Sequence, residues 1–127
     1  MNEFMLLVKN EGDGKAALSP EQQQQFLKAC EVYIEGLMKN GKLKSAQPLI
    51  KEGVIIASTP ESFTETPLDK AKEIQVGYYH ILANDLDEAV AIAKRNPEFT
   101  FIRGAQIEVR PIKLMEQLTG FNYPIKN

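Results

Sequence analysis

Apolar and polar residues follow one another along this chain in distinct patterns, and each pattern predicts a different element. Phe4 to Lys9 (FMLLVK) is almost continuously apolar, as in a short strand covered on both faces. A loop with Gly12 and Gly14 follows, and Ser19-Pro20-Glu21-Gln22 then marks a helix start. Ser19 serves as cap, Pro20 fits the first helical position, and Gln22 stands where a capping box needs Glu or Gln. Phe26, Cys30, Tyr33, Ile34, Leu37 and Met38 recur at three- and four-residue spacing, which predicts a helix over 20–39 with one apolar stripe. Gly41 suits the left-handed position just beyond its end.

Leu43 to Leu49 reads as a short extended segment closed by Pro48, and Val54 to Ser58 (VIIAS) as a β-branched strand. Thr59 to Lys72 holds Pro60 and Pro67 and is expected to be a long loop. Ile74 to Ala83 (IQVGYYHILA) is the strongest strand pattern. Asp85 caps a second helix, with Glu88 three residues on, and Leu86, Ala89, Val90, Ile92 and Ala93 form its apolar side up to Asn96-Pro97. Ala105 to Ile112 alternates, with Ile107 and Val109 on one side and Gln106, Glu108 and Arg110 on the other. Lys113 to Gly120 predicts a short helix, and a tail follows to Asn127.

The order β-α-β-β-α-β predicts an α+β, ferredoxin-like domain over 1–113, with a C-terminal extension over 114–127. Its four-stranded antiparallel sheet is expected to carry both helices on one face. Strands such as FMLLVK and VIIAS are apolar on both sides, so the other face needs a cover. The simplest is a second copy, which predicts a homodimer with sheets packed face to face.

Composition narrows the chemistry. The 127 residues, 43% hydrophobic and 25% charged, describe one globular domain. Fifteen Lys and Arg against seventeen Asp and Glu leave a net charge of −2, which argues against nucleic acid as a partner. No run approaches the roughly 20 apolar residues of a membrane span. One cysteine allows no internal disulfide, so a cytoplasmic protein with a reduced Cys30 is expected. One His and one Cys make no convincing metal shell, and no glycine-rich phosphate loop or nucleotide fingerprint is present, so no metal or cofactor is implied.

Cys30 lies on the apolar stripe, where a packed core or pocket-wall thiol is expected; a nucleophile there would need a cationic neighbour. His80 is the sole histidine, so any neutral-pH general base must be this residue. Strand alternation puts it on one face with Val76, Tyr78 and Leu82. It is read either as a satisfied, half-buried histidine or as part of a cavity with Tyr78 and an acid. By face Glu108 is the best-placed acid, although the first strand separates its strand from that of His80. Gln106, Glu108 and Arg110 form either a solvated edge or a polar strip inside a dimer barrel, where Arg110 would hold a small carboxylate or phenol. Phe63 and Glu65, at the edge of the long loop, are placed to close over such a pocket.

Taken in order, several short segments resemble the YCII-related family, in the branch with a DGPF motif. They are Phe4-Met5-Leu6-Leu7, Leu18-Ser19-Pro20-Glu21, Asn40-Gly41-Lys42-Leu43 and Gly77-Tyr78-Tyr79-His80-Ile81. Asp85-Leu86-Asp87-Glu88-Ala89 and Ile107-Glu108-Val109-Arg110-Pro111-Ile112 complete the series. The resemblance runs from about residue 4 to 112 and implies a small dimeric α+β barrel. The DGPF motif itself is degenerate: Thr59-Pro60-Glu61-Ser62-Phe63 stands in its place, followed by about five extra residues around Thr66 to Lys70. Relatives carry a His on the first helix and an Asp before the proline that ends the second, a proposed acid–base couple. Aligning on Asn40-Gly41 and Pro97 puts Cys30 and Asn96 at those places, and neither supplies a proton shuttle at neutral pH.

Three functions follow as expectations. The first is a protein that binds a small organic molecule in a dimer-barrel or helix–sheet pocket lined by Tyr78, Cys30, Asn96, Phe63, Glu65, Glu108 and Arg110. The second is a cofactor-free lyase- or isomerase-type enzyme with His80 as base and Arg110 or Tyr78 holding substrate. The third is a regulatory protein-interaction module, since relatives with the DGPF motif often lie beside sigma-factor genes.

Overall fold

A computed structural model describes residues 1–124 of the chain. The first strand, β1 (Asn2–Glu11), buries Phe4, Leu6, Val8 and Asn10 and leaves Glu3, Met5, Leu7 and Lys9 partly exposed. A 3-10 turn over Gly14–Ala17 leads into α1 (Pro20–Lys39). The capping box forms as the local sequence demands: the Gln22 amide donates to Ser19 Oγ at 3.1 Å, and the Ser19 amide donates to Gln22 Oε1 at 2.9 Å. Past the helix end, Gly41 adopts φ 68°, the left-handed conformation expected of it. Phe26 and Leu37 are buried on α1, and Tyr33 and Ile34 pack beside them. Met38 leaves the predicted stripe and is 62% exposed.

The principal sheet comprises β2 (Leu43–Pro48), β5 (Glu73–Ala83), β1 and β6 (Gln106–Pro111), in that spatial order and antiparallel throughout. Before β5 the chain makes a separate hairpin of β3 (Val54–Ser58) and β4 (Phe63–Pro67). After β5 come α2 (Leu86–Lys94) and a short helix α3 (Glu98–Phe101). The Glu88 amide donates to Asp85 Oδ1 at 2.8 Å, so the second predicted cap also forms. Leu86 lies outside the apolar side assigned to α2 and is half exposed.

Both long helices cover the same face of the sheet. Leu37 of α1 and Ala89, Ile92 and Ala93 of α2 join Phe4, Leu6, Val8, Tyr79, Ile81 and Ala83 in one core. This is the ferredoxin-like arrangement, and Ile107 and Val109 turn toward the same core as the alternation of β6 predicts. Among the described residues, no helix covers the opposite face. Paired residues Met5↔His80, Leu7↔Tyr78, Leu7↔Glu108 and Met5↔Arg110 place Met5, Leu7, Tyr78, His80, Glu108 and Arg110 together there.

Three expectations are corrected. VIIAS does not join the main sheet; as β3 it pairs only with β4 and all five of its residues are exposed, so it supplies no argument for a covered second face. The loop expected over 59–72 contains β4, because Thr59 and Ser62 close a tight turn: the Thr59 amide donates to the Ser62 carbonyl at 2.7 Å. The helix expected over 113–120 is absent. There, Gly120 at φ 73° reverses the chain, and the Glu116 and Tyr123 amides donate to the Phe121 and Leu114 carbonyls instead. Residues 125–127 of the C-terminal extension lie outside the described residues.

Candidate functional site

Between α1 and the β2–β5 end of the sheet lies a cavity of about 450 Å³. Phe26, Ile34, Ala46, Leu49, Val76 and Ile102 give it apolar walls. Its size and lining match those of small-molecule sites, which pair apolar walls with a few placed polar groups. A glycine helps to shape it. Gly77, on the cavity wall, lets β2 approach closely: a Cβ there would stand 3.0 Å from the Gln47 carbonyl oxygen and 3.3 Å from Pro48 Cα.

The polar groups sit deep. Alternation along β1 carries the buried face from Val8 to Asn10, which is only 4% exposed. Pro97 starts α3, and Glu98 at its head is 8% exposed, an unusual burial for a carboxylate. Asn10 Nδ2 donates to Glu98 Oε1 at 3.0 Å, and the Glu98 amide donates to Asn96 Oδ1 at 2.9 Å. Asn10 Oδ1, Glu98 Oε2 and Asn96 Nδ2 are buried without a hydrogen-bond partner among the described residues. Burial raises the pKa of Glu98; Lys51, the Asn10 hydrogen bond and Lys15 oppose it without reversing it.

Cys30 lines the same cavity, and burial pushes its thiol up to about 11, with Glu98 adding to the rise and Lys15 opposing it. Burial thus holds the thiol in its protonated form at neutral pH, which weighs against the nucleophile reading. Tyr79 is pushed up to about 12, and Tyr33 higher still, both chiefly by burial. Their rings meet edge-on at 5.5 Å, and Tyr33 Oη donates to the Ile92 carbonyl at 2.7 Å. Asn96 is wholly buried behind this wall; its side-chain Oδ1 accepts from the Glu98 amide, and it does not itself line the cavity.

The other predicted site residues lie elsewhere. His80 faces the open side of the sheet and hydrogen-bonds Glu3 Oε1 at 2.7 Å, with Lys44 Nζ 3.3 Å from the same oxygen. Burial works against ionisation of Glu3, but the His80 and Lys44 contacts outweigh it and hold its pKa below the ordinary value. Glu108 is thus not the acid beside His80: it pairs with Lys9 at 3.3 Å and lies 3.8 Å from Arg110. Tyr78 borders the cavity along β5 while sharing its strand face with His80. Phe63 and Glu65 stand on the exposed hairpin and line no part of the cavity.

The residues that sequence patterns left unmarked are Glu3, Asn10 and Glu98. Asn10 had a signal, because it continues the even-numbered buried face of Phe4, Leu6 and Val8. A broad groove outside α1, bounded by Gln24, Lys28, Val32 and Arg95, is open to solvent and carries no comparable buried polar group. Among the described residues, no three His, Cys, Asp or Glu side chains cluster as a metal site. No described helix is long and apolar enough to cross a membrane.

The family model of the YCII-related domain matches residues 3–116. Comparison with curated protein sequences gave no match.

Proposed function

The chain belongs to the YCII-related family, and from that premise we propose that it binds a small organic molecule in the cavity between α1 and the sheet. The observation that carries this reading is the apolar cavity of about 450 Å³ whose lining includes Asn10 and Glu98, each with a buried oxygen that has no partner among the described residues. A binding role without chemistry fits the residues there. Cys30 is held protonated, and Asn96 has no proton to exchange at neutral pH. The Ile107-Glu108-Val109-Arg110-Pro111-Ile112 run supports placement in the branch with the DGPF motif.

Native mass spectrometry of protein purified without denaturation tests the proposal. A retained small-molecule mass that disappears in Ala46→Phe, which fills the cavity, supports it. Retention undiminished in a folded Ala46→Phe contradicts it.

The enzyme reading draws on the His80–Glu3 pair, in which a carboxylate orients the imidazole. A substrate for that base would have to sit on the open face of the sheet, away from the cavity. His80→Gln is therefore expected to leave cavity binding unchanged.

The same open face supports a homodimer, because Met5, Leu7 and Leu82 stay partly exposed there with no helix of the described residues over them. Sedimentation at micromolar concentration is expected to give twice the chain mass, and Leu7→Lys to give the monomer. A wild-type monomer contradicts the dimer and leaves the cavity reading standing.

A further inference from the structure

We infer that the cavity selects a neutral, largely apolar molecule that presents an O–H or N–H donor to Glu98 and Asn10. This deepens the ligand-binding reading and rests on it. Of the three buried side-chain atoms without a partner among the described residues, Asn96 Nδ2 belongs to a residue off the cavity lining. The two on cavity-lining residues, Glu98 Oε2 and Asn10 Oδ1, are acceptors when Glu98 is ionised. Asn10 Nδ2 gives one of its N–H groups to Glu98 Oε1 at 3.0 Å and does not reach Glu98 Oε2. A buried acceptor without a donor is costly, and most such groups in folded proteins have a partner. Because both residues line the cavity, a donor on a bound molecule is the partner this geometry lacks.

Charge argues for neutrality. The ionisable side chains of ordinary carboxylate or ammonium type on the cavity lining are Lys15, Lys51, Glu31 and Glu98, two of each sign. Both lysines already face groups of the chain: Lys51 Nζ donates to the Gly12 carbonyl, Lys15 lies over the Phe26 ring at 5.9 Å from its centroid, and both act on Glu98. A ligand carboxylate would add a third anion beside Glu98 and Glu31. A ligand ammonium would add a third cation beside the two lysines. Burial raises the Glu98 pKa, which agrees with an environment that disfavours charge. The apolar walls take the rest of the molecule, with room for a ring and a short substituent.

The probes are benzyl alcohol, ethylbenzene, benzoate and benzylamine, titrated against the full chain by NMR. They share one ring and differ only in the group offered to Glu98. In wild type, benzoate and benzylamine are expected to bind more weakly than benzyl alcohol. In Glu98→Met, the ratio of benzyl alcohol to ethylbenzene affinity is expected to fall about tenfold, the worth of one hydrogen bond to such a carboxyl. If Glu98→Met does not fold, Asn10→Leu is expected to lower the same ratio. An unchanged ratio, or tightest binding by benzoate, overturns this inference while leaving the cavity as a binding site. Failure of every probe to bind wild type overturns the inference and the binding reading together.

Discussion

The two faces of one sheet treat their ionisable groups in opposite ways. On the helix-covered face, Glu98, Cys30 and Tyr79 are pushed toward their neutral forms by burial. On the open face, Glu3 is also shielded from water, but His80 at 2.7 Å and Lys44 at 3.3 Å hold it ionised. Glu3 has its partners within the chain; Glu98, on the cavity lining, keeps a buried oxygen without a partner among the described residues. The difference teaches where to look for a ligand. A satisfied charge cluster is complete by itself, whereas a buried acceptor on an apolar cavity lining lacks a partner among the side chains around it.

Substitutions on adjacent residues of β1 separate the faces most strongly. Leu6, wholly buried under the helices, is expected to cost about 2–5 kcal/mol as Leu6→Ala in urea unfolding. Met5→Ala, one residue away on the open face, is expected to cost about 1 kcal/mol. A Met5→Ala cost equal to that of Leu6→Ala would show the open face to be as buried in solution as the helix side.

Next in size is the thiol. With its pKa near 11 instead of 9.0, Cys30 carries about a hundredfold less thiolate at pH 8. Alkylation by iodoacetamide is expected to be slower than that of a free thiol by at least that factor, and to accelerate about tenfold per pH unit up to pH 11. Rapid labelling of native protein at pH 7 contradicts the protonated assignment.

The two glutamates are expected to respond to pH with opposite signs. Glu3 has a folded pKa below 4.5, so it adds stability above pH 4.5 that is lost as pH falls toward the folded value. Glu3→Gln is therefore expected to destabilise by about 1 kcal/mol at pH 7, with the difference vanishing in acid. Glu98 has a folded pKa above 4.5, so its burial costs little below pH 4.5 and more as pH rises through the folded value. Glu98→Gln is expected to stabilise by about 1 kcal/mol at pH 7 and to lose that advantage near pH 4. Thermal unfolding across pH 4–8 reads both, and equal signs would erase the contrast between the faces.

What the sequence made legible was local. Ser19 and Gln22, Asp85 and Glu88, and Gly41 each announce their geometry within a few residues, and each forms as expected. The alternation of β6 placed Ile107 and Val109 inward because a period of two needs no tertiary information. The hairpin was hidden because Pro60 and Pro67 bracket Phe63-Thr64-Glu65-Thr66, and the proline signal outweighed the β-rich run between them. Glu3 escaped notice because its contact with His80 depends on register: Glu3 lies opposite Leu82, and His80 is the diagonal neighbour. Glu98 was hidden by a different cause. A charged residue just past Pro97 reads as surface, and only the packing of α3 against β1 reveals it beside Asn10.

A methyl-resolved NMR titration with benzyl alcohol tests the account most directly, because Val, Leu and Ile methyls lie on both faces. The account predicts shifts at Val8, Ile34, Leu49, Val76 and Ile102, which line the cavity, and none at Leu7 or Leu82 on the open face. Shifts at Leu7 and Leu82, with the cavity methyls unmoved, would contradict it.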